Sequence, residues 1–317
     1  MNQILKNLKK NGFVNAGKLA ISNIEVNELA NLSRSIFDSV REVGFLGHKH
    51  PDYILQTTGG EGVMRLPQLN SRIAEILDKI VSDCEVQAIL KDVLGSDYKI
   101  WQINYRRSNA GDQGLNLHQD AFGETGMCIM LGDNPSGNGA TLFLAGTHLV
   151  STRIRNLKIE APAVLLKYLN PLFIKLKGKA GDISFFFNRT WHGRSHNSTL
   201  LNFDVILVSF FPCGATFGYD GYGEWSNEFL KSISGTRLGT LINPNIGTKK
   251  LENRRYEVSN LNMINAAPFA IEIEDQKIAK SQWILYNINF SILLLRFIFL
   301  FRPIIRLARA FKRKLLI

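Results

Sequence analysis

The run GDISFFF, at residues 181–187, is one of six short runs rich in β-branched, aromatic and other apolar residues that decide the fold. Clusters of Gly, Asn and Pro separate these runs, and strands at this spacing are typical of a barrel or jelly roll. The other five runs are KIWQINYRR at 99–107, GMCIMLG at 126–132, GATLFLA at 139–145, APAVLLKYL at 161–169 and FDVILVSFF at 203–211. We therefore predict a mainly β fold with flanking helices, whose core is a double-stranded β-helix (a jelly roll, cupin-like) over about residues 98–211.

The part of the chain before this core carries helical patterns. Residues 1–50 look helical, with a start near Ser22 or Asn23 followed by apolar residues at helical spacing, namely Leu29, Leu32, Ile36 and Val40. Residues 51–70 contain a Gly-Gly pair and two prolines and look like a loop. Residues 70–95 form a second helical region, which a glycine closes.

Composition places the chain among ordinary globular proteins. Of its 317 residues, 45% are hydrophobic and 21% charged, so general disorder is excluded. The three cysteines, Cys84, Cys128 and Cys213, form no C-x-x-C pair, which suits a reducing compartment. The first 20 residues are too polar for the apolar core of a signal peptide. We expect a cytoplasmic protein.

The formal net charge of +11 comes mostly from the C-terminus. Residues 279–317 contain eight Lys and Arg and no Asp or Glu, so subtracting eight from eleven leaves only +3 for residues 1–278. The basic character therefore concerns whatever the C-terminal segment contacts, and we expect no nucleic-acid partner.

The C-terminal segment, residues 276–317, has an amphipathic pattern. On a helical wheel over residues 297–315, one side collects Phe297, Leu300, Ile304, Leu307, Phe311 and Leu315, and the other collects Arg302, Arg306, Arg309 and Arg313. A membrane-spanning helix would be interrupted by Arg296, and a C-terminal core helix would not usually need so many arginines. We predict a basic helix that lies on an anionic membrane surface, so that the protein is peripheral on the inner face of the membrane.

Two stretches contain candidate metal ligands, NLHQD at 116–120 and WHGRSHNST at 191–199. His118 and Asp120 are alternate residues, which point to the same face of a strand. One carboxylate and two imidazoles with open positions beside them form the facial triad of non-haem Fe(II) oxygenases. Spacing alone leaves the third ligand open between His192 and His196. It also leaves open the alternative that no metal binds and that His118 is a surface histidine next to a turn carboxylate, Asp120.

Several segments together resemble the phytanoyl-CoA dioxygenase family of iron- and 2-oxoglutarate-dependent enzymes. LKKNGFVNAGKLAISNIEVNELANL at 8–32 is similar to that family's N-terminal segment. NGATLFLAGTHL at 138–149 is similar to its strand and turn, with Ala145 and Thr147 in place of Pro and Ser. GDISFFFNRTWHGRSHNST at 181–199 is similar to its segment with the distal His. The resemblance covers about residues 10–211.

The resemblance implies a site and a reaction. Iron would be held by His118, Asp120 and His192, because Gly193 and Asn197 match the family's offsets from the distal ligand. Fe(II), 2-oxoglutarate and O2 would be the cofactor and co-substrates, and the presence of Asp120 implies hydroxylation, since halogenating relatives have a small residue there. His148 falls at a position that is usually structural. The remaining pair, His48 and His50, has no third partner near it in the sequence and is not expected to bind metal.

One position departs from the family's pattern. The family has an Arg eleven residues after the distal His, which clamps the far carboxylate of 2-oxoglutarate, but this chain has Phe203 and no Arg or Lys from 200 to 211. A buried dicarboxylate without a cation would be costly. Arg194, two residues after His192, is the tentative clamp. Arg106 and Arg107 are weaker alternatives that we expect to form a solvent-exposed basic pair.

The sequence therefore predicts an oxygenase domain over residues 1–275 and a membrane-associating segment over 276–317. The substrate would be a small molecule or a lipid-linked molecule, possibly a glycolipid, with an unactivated carbon that is hydroxylated. Because of Phe203, the alternatives are a different co-substrate, or a non-enzymatic membrane-associated jelly-roll protein that keeps the fold. The sequence indicates neither an oligomeric state nor a role for residues 212–275.

Overall fold

The structure is a computed structural model that describes residues 2–44, 54–57, 60–112, 114–118, 120, 123–149, 173–212 and 225–242. Its helices are α1 (Asn2–Asn11), α2 (Asn23–Gly44), α3 (Ser71–Ser82), α4 (Cys84–Leu94), α5 (Asn227–Ser232) and α6 (Arg237–Leu241), with 3-10 turns at Leu66–Leu69 and Thr147–Leu149. Its strands are β1 (Phe13–Lys18), β2 (Ile54–Thr57), β3 (Gly60–Met64), β4 (Tyr98–Ser108), β5 (Leu115–His118), β6 (Thr125–Met130), β7 (Thr141–Phe143), β8 (Ile174–Lys175), β9 (Asp182–Phe187), β10 (His192–Arg194) and β11 (Phe203–Pro212).

The strands form two antiparallel sheets. The larger sheet has the order β1-β9-β6-β11-β4-β3-β2, and the smaller sheet has the order β5-β10-β7-β8. In the larger sheet, β4 and β11 pair along their whole lengths, from Ser108 with Phe203 to Tyr98 with Pro212. The crossed strand order is that of a jelly roll. The predicted mainly β fold with flanking helices is confirmed.

Successive residues of the larger sheet pack into two different hydrophobic clusters. Phe185 belongs to the large cluster that the sheet forms with the helices, whereas Phe186 belongs to a smaller cluster between the two sheets. This follows from the period of two along a strand. A fully buried side chain of this size contributes about 1.5–3 kcal/mol. Because the sheet is covered on both faces, its strands read as continuous apolar runs such as SFFF.

The N-terminal region is only partly the helix that the sequence predicts. Helix α2 begins where expected, because the Ser22 hydroxyl accepts from the Glu25 N–H at 3.2 Å and the Glu25 carboxylate accepts from the Ser22 N–H at 2.8 Å. These two bonds form a capping box. The prediction is wrong for Phe13–Lys18, which form β1 and pair antiparallel with β9 at the edge of the larger sheet. This strand could not be read locally because its partner lies about 170 residues away.

The predicted loop at 51–70 is also wrong. The described part of this region contains β2, β3 and a 3-10 turn, and β3 extends the larger sheet by pairing with β4. The predicted helical region at 70–95 is two helices, which Asp83 separates. Its N–H donates to the carbonyl of Ile80 at the end of α3, while its carboxylate accepts from the N–H groups of Glu85 and Val86 at the start of α4.

Ion pairs tie helix α2 to two buried charged residues of the larger sheet. Asp204 on β11 accepts from Arg107 Nε at 2.9 Å and from Arg34 Nε at 2.7 Å. The Arg107 guanidinium also reaches Asp38 at 3.3 Å and lies 4.5 Å from the centre of the Phe37 ring. The expectation that Arg107 is solvent-exposed is therefore wrong, because its strand position points it under α2.

Several sequence predictions concern residues outside the described part of the chain. These are the amphipathic segment at 276–317, the strand at 161–169, the pair His48 and His50, and Cys213. Among the helices that the structure does describe, none combines the length and the apolar character needed to cross a membrane.

Candidate active site

A cavity of about 260 Å³ lies between the two sheets. Strand β4 lines it with alternate residues, Gln102, Asn104, Arg106 and Ser108, and β11 lines it with Phe203, Val205, Leu207 and Ser209. The facing wall comes from β5, β7 and β10 of the smaller sheet, which contribute Leu115, His118, Thr141, His192 and Arg194. Both sheets therefore supply polar side chains to one cavity.

Three predicted ligands meet at the wall of this cavity. His118 ends β5, His192 begins β10, and the two residues are direct partners in the antiparallel pair. Asp120 follows β5, and its Oδ2 lies 3.4 Å from His192 Nε2 and 3.8 Å from His118 Nε2. One ligand atom from each residue lies within 4.8 Å of the others. Ligands placed about 2.0–2.2 Å from one metal ion can span such separations, so this donor set fits a divalent metal.

Hydrogen bonds hold two of these ligands in place. His192 Nδ1–H donates to the carbonyl of Thr190 at 2.7 Å, which leaves the Nε2 lone pair directed at the cluster. The backbone N–H of Asp120 donates to the carbonyl of Asn188 at 2.9 Å. Phe143 and Phe186 pack against the His192 ring, with ring centres 6.4 and 5.7 Å away.

The ligand side chains are electrostatically complementary even without a cation. Burial works to lower the pKa of His192, but the adjacent Asp120 carboxylate outweighs it, and the pKa is raised. Burial works to raise the pKa of Asp120, but His192, His118 and Arg106 outweigh it, and the pKa is lowered. An ionised carboxylate facing two imidazoles is the arrangement that a metal ion can enter by displacing protons.

The other histidines of the described chain lie elsewhere. His196, the rival third ligand, is exposed and does not belong to the cluster. His148 is buried, donates from Nε2–H to the carbonyl of Lys9 at 2.9 Å, and packs on Phe187 with ring centres 5.3 Å apart. Burial lowers the pKa of His148 to about 4. It supports the packing of α1 against the turn at 147–149.

The turn between α1 and β1 is packed against the segment that carries His192. The Gly12 carbonyl accepts from the Thr190 hydroxyl at 2.9 Å and from the Phe187 N–H at 2.9 Å. A Cβ at Gly12 would lie closer than contact distance to Thr190 Oγ1 and His148 Nδ1, and the backbone φ is +83°. Only glycine meets both requirements. The N-terminal turn therefore supports the residue whose carbonyl orients His192.

Arg194 lies in the cavity wall with unused donors. Its Nε and Nη2 are buried and have no hydrogen-bond partner among the described residues. Burial lowers the pKa of Arg194, against the opposing charge of Asp112.

Phe203, at the position of the family's usual Arg, is 8% exposed and belongs to the apolar cluster between the sheets. Arg106 also lines the cavity and is half-buried, so the predicted solvent-exposed pair is wrong for both of its members.

The sequence analysis missed a polar group behind the ligands. Glu124 is 3% exposed, and its pKa is raised to about 8 by burial and by the charge of Asp120. The side chains of Ser209 and Asn188 lie beside it and partly offset these effects. Two signals in the sequence point to the polar lining: an acidic residue two positions before the apolar run GMCIM, which is Glu124, and the polar residues at every second position of β4, from 102 to 108.

Comparisons with known proteins identify similar sequences and folds. The sequence model of the family Phytanoyl-CoA dioxygenase (PhyH) matches residues 38–200. The fold is similar to that of the epimerase SnoN from nogalamycin biosynthesis, described as non-heme and alpha ketoglutarate dependent (TM-score 0.52, 16% identity, 81% of this chain and 97% of that chain). It is also similar to the carbocyclase SnoK from the same biosynthesis (TM-score 0.51, 15% identity, 66% and 83%) and to EctD from S. alaskensis in its apoform (TM-score 0.51, 14% identity, 67% and 76%). No curated protein matches this sequence.

Proposed function

The chain belongs to the phytanoyl-CoA dioxygenase family, and from that premise we propose that it hydroxylates an unactivated carbon of a small-molecule or lipid-linked substrate. It is an Fe(II)- and 2-oxoglutarate-dependent oxygenase, which uses O2 as the other co-substrate. The observation that carries the proposal is the convergence of two imidazoles and one carboxylate at the wall of a cavity that continues beyond them.

In this proposal His118, Asp120 and His192 hold the iron. Bound Fe(II) supplies the activation of O2, coupled to oxidation of 2-oxoglutarate, which no side chain can perform. The protein binds and orients the reactants. Thr190 keeps the His192 proton on Nδ1, so that Nε2 is free for the metal. Phe143 and Phe186 surround the His192 ring and exclude water from that side.

Arg194 is the proposed clamp for the far carboxylate of 2-oxoglutarate. Buried N–H donors without a hydrogen-bond partner, such as those on Arg194 Nε and Nη2, are unfavourable until an anion reaches them. Arg194 follows His192 by two residues on β10, so both side chains lie on the same face of the smaller sheet, opposite Phe203 on the larger one. The cation would then come from the opposite wall of the cavity to that used by the family's usual Arg.

Anaerobic titration with Fe(II) and then 2-oxoglutarate tests the site. We expect a visible charge-transfer band, which His192→Ala abolishes together with tight iron binding. His196→Ala, a histidine four residues away and exposed, is the matched control and should behave as wild type. Full iron affinity in His192→Ala would contradict the ligand assignment, and iron binding without any band would show that 2-oxoglutarate is not the co-substrate.

The clamp is tested by the 2-oxoglutarate affinity read from the same band. Arg194→Leu should weaken it about 30-fold or more, since losing one partner of a buried charge pair costs roughly 2–5 kcal/mol. Arg106→Leu tests the rival cation in the same cavity. If Arg106→Leu causes the larger loss, the clamp is Arg106.

We further propose that the C-terminal segment, residues 276–317, holds the enzyme on the cytoplasmic face of an anionic membrane. The support is its sequence, with an arginine-rich side opposite a Phe- and Leu-rich side. The full chain should float with vesicles that contain phosphatidylglycerol and not with phosphatidylcholine vesicles. Replacing Arg302, Arg306, Arg309 and Arg313 by Gln should abolish flotation at moderate salt. Equal flotation with both vesicle types would contradict the proposal.

A further inference from the structure

The wall of the cavity that β4 and β11 form is unusually polar on one strand. The four alternate residues of β4 that face the cavity are all polar. The neighbouring strand of the same sheet, β11, contributes three apolar residues before Ser209. In the sheet, Asn104 pairs with Leu207 and Gln102 pairs with Ser209. Asn104 is 3% exposed, so its amide sits on the cavity wall without access to bulk water.

Hydrogen bonds along the wall engage the amino group of Asn104. Asn104 Nδ2 donates to Gln102 Oε1 at 2.8 Å, and Gln102 Nε2 donates to Ser209 Oγ at 3.2 Å. The amino group of Asn104 is thereby occupied inside the wall. Its Oδ1 is buried and has no hydrogen-bond partner in the described chain.

Asn188 presents a second acceptor of the same kind. It also lines the cavity, next to Asp120, and is 5% exposed. Its Oδ1 is buried and has no hydrogen-bond partner in the described ranges. Leaving a buried acceptor unpaired costs about 1–3 kcal/mol, and native proteins pair roughly nine in ten of them. Two unpaired acceptors at one cavity indicate a ligand that donates.

The co-substrate cannot be that donor. At neutral pH 2-oxoglutarate is a dianion whose oxygens only accept hydrogen bonds. Its natural partners in this cavity are donors, such as Arg194 and the Ser108 hydroxyl, which is also buried without a hydrogen-bond partner among the described residues. The Oδ1 atoms of Asn104 and Asn188 are therefore available to accept hydrogen bonds from the molecule that is oxidised.

Building on the proposed function, we propose that the primary substrate donates hydrogen bonds from hydroxyl or N–H groups to Asn104 and Asn188. The part of the substrate that reaches the metal is then compact and polyol-like or amine-like, not a hydrocarbon chain. The cavity volume of about 260 Å³ agrees with a compact group, since ordinary ligand pockets hold about 300–1,000 Å³. For a lipid-linked substrate, the oxidised part is the polar headgroup.

The test uses a pair of probes that differ only in their donors: methyl α-D-glucopyranoside and its fully O-methylated analogue. Each is added to the anaerobic full-length enzyme with Fe(II) and 2-oxoglutarate, and its dissociation constant is read from the change in the visible band. We expect the hydroxylated probe to change the band and the methylated probe to have no effect. Asn104→Leu should weaken the binding of the hydroxylated probe at least tenfold while leaving the affinity for 2-oxoglutarate unchanged.

Two further variants make the comparison specific. Asn15→Leu makes the same change at an exposed residue that does not line the cavity, and it should behave as wild type. Asn104→Asp keeps an acceptor oxygen and should retain the probe, which covers the case in which Asn104→Leu fails to fold. The inference is overturned if both probes bind equally, if neither binds, or if Asn104→Leu binds the hydroxylated probe as tightly as Asn15→Leu does. Absence of the band in the wild type overturns the proposed function instead.

Discussion

The carboxylate of Asp204, on β11, forms ion pairs with an arginine of helix α2 and an arginine of strand β4. It is 2% exposed and accepts from both Arg34 and Arg107. Asp204→Asn should lower the free energy of unfolding by about 3 kcal/mol, because the buried Arg107 then keeps only the exposed Asp38 as a counter-charge. Urea unfolding of the metal-free protein measures this change.

The matched control for Asp204 is Glu28→Gln, which breaks the exposed pair between Glu28 and Arg72. An exposed pair is worth about 0–1 kcal/mol, so this variant should unfold almost as the wild type does. Equal losses in the two variants would show that the buried network adds nothing beyond a surface ion pair.

Single residues also show which features of the site could be predicted from the sequence. His118 and Asp120 could be predicted to lie close together because they are two residues apart, although Asp120 follows the end of β5 and is not part of the strand. The burial of Glu124 and Asn104 could not be predicted, although both stand out as polar residues beside or within apolar runs, because burial depends on which strands pair with β6 and β4. The same limit explains Arg106 and Arg107, since neighbouring residues on a strand covered on both sides enter two different interiors.

At the scale of elements, the turn between α1 and β1 carries a prediction about the site. Gly12→Ala should destabilise the protein and also weaken Fe(II) binding, because the added Cβ displaces Thr190, whose carbonyl orients His192. The cost should exceed the roughly 1 kcal/mol of a left-handed backbone alone. Unfolding and iron titrations measure the two effects.

Gly17→Ala is the control for Gly12. Gly17 has a similar φ of +76°, but a Cβ there meets nothing within 4 Å. It should show the backbone cost and unchanged iron affinity. If both variants bind iron as the wild type does, the turn does not support His192.

Helix α2 and strand β1 illustrate the same contrast between local and distant information. The start of α2 was predictable because its capping box lies within four residues of the chain. The strand was not, because FVNAGK is short and its pairing partner among the described strands is the distant β9. The break between α3 and α4 was hidden because Asp83 ends one helix and starts the next without interrupting the apolar pattern.

For the whole molecule, two buried groups give opposite dependences of stability on pH. The pKa of His148 is lowered to about 4, so its contribution is complete above about pH 6.5 and is lost as the pH falls toward 4. The pKa of Glu124 is raised to about 8, so its contribution is complete below about pH 4.5 and is lost as the pH rises toward 8. The two effects oppose each other between pH 5 and 7.

Removing one of these two titratable groups should reveal the pH dependence of stability that the other one causes. In metal-free Glu124→Gln, the free energy of unfolding should fall from pH 7 to pH 5, because the unfolded chain takes up a proton that buried His148 does not bind, while the raised pKa of His192 offsets part of this loss. The wild type should change less over the same range. Urea unfolding with a chelator present measures both proteins, and a wild-type slope as steep as that of the variant would contradict the prediction.

The jelly roll itself was predictable, because six apolar runs with regular turn signals leave few other architectures for a chain of this length. The strands outside the predicted core, β1 to β3, extend the larger sheet on both edges and could not be found from local patterns.

The bond between Gly12 and Thr190 joins residues 178 positions apart. At about 5–20 residues per second, a ribosome needs roughly 9–36 s to make the intervening chain. During that time β1 has no partner strand, and the pocket for the metal does not exist. The N-terminal segment must therefore remain unpaired in the cell until β9 and the His192 segment have emerged, so iron can be loaded only late in synthesis or after it.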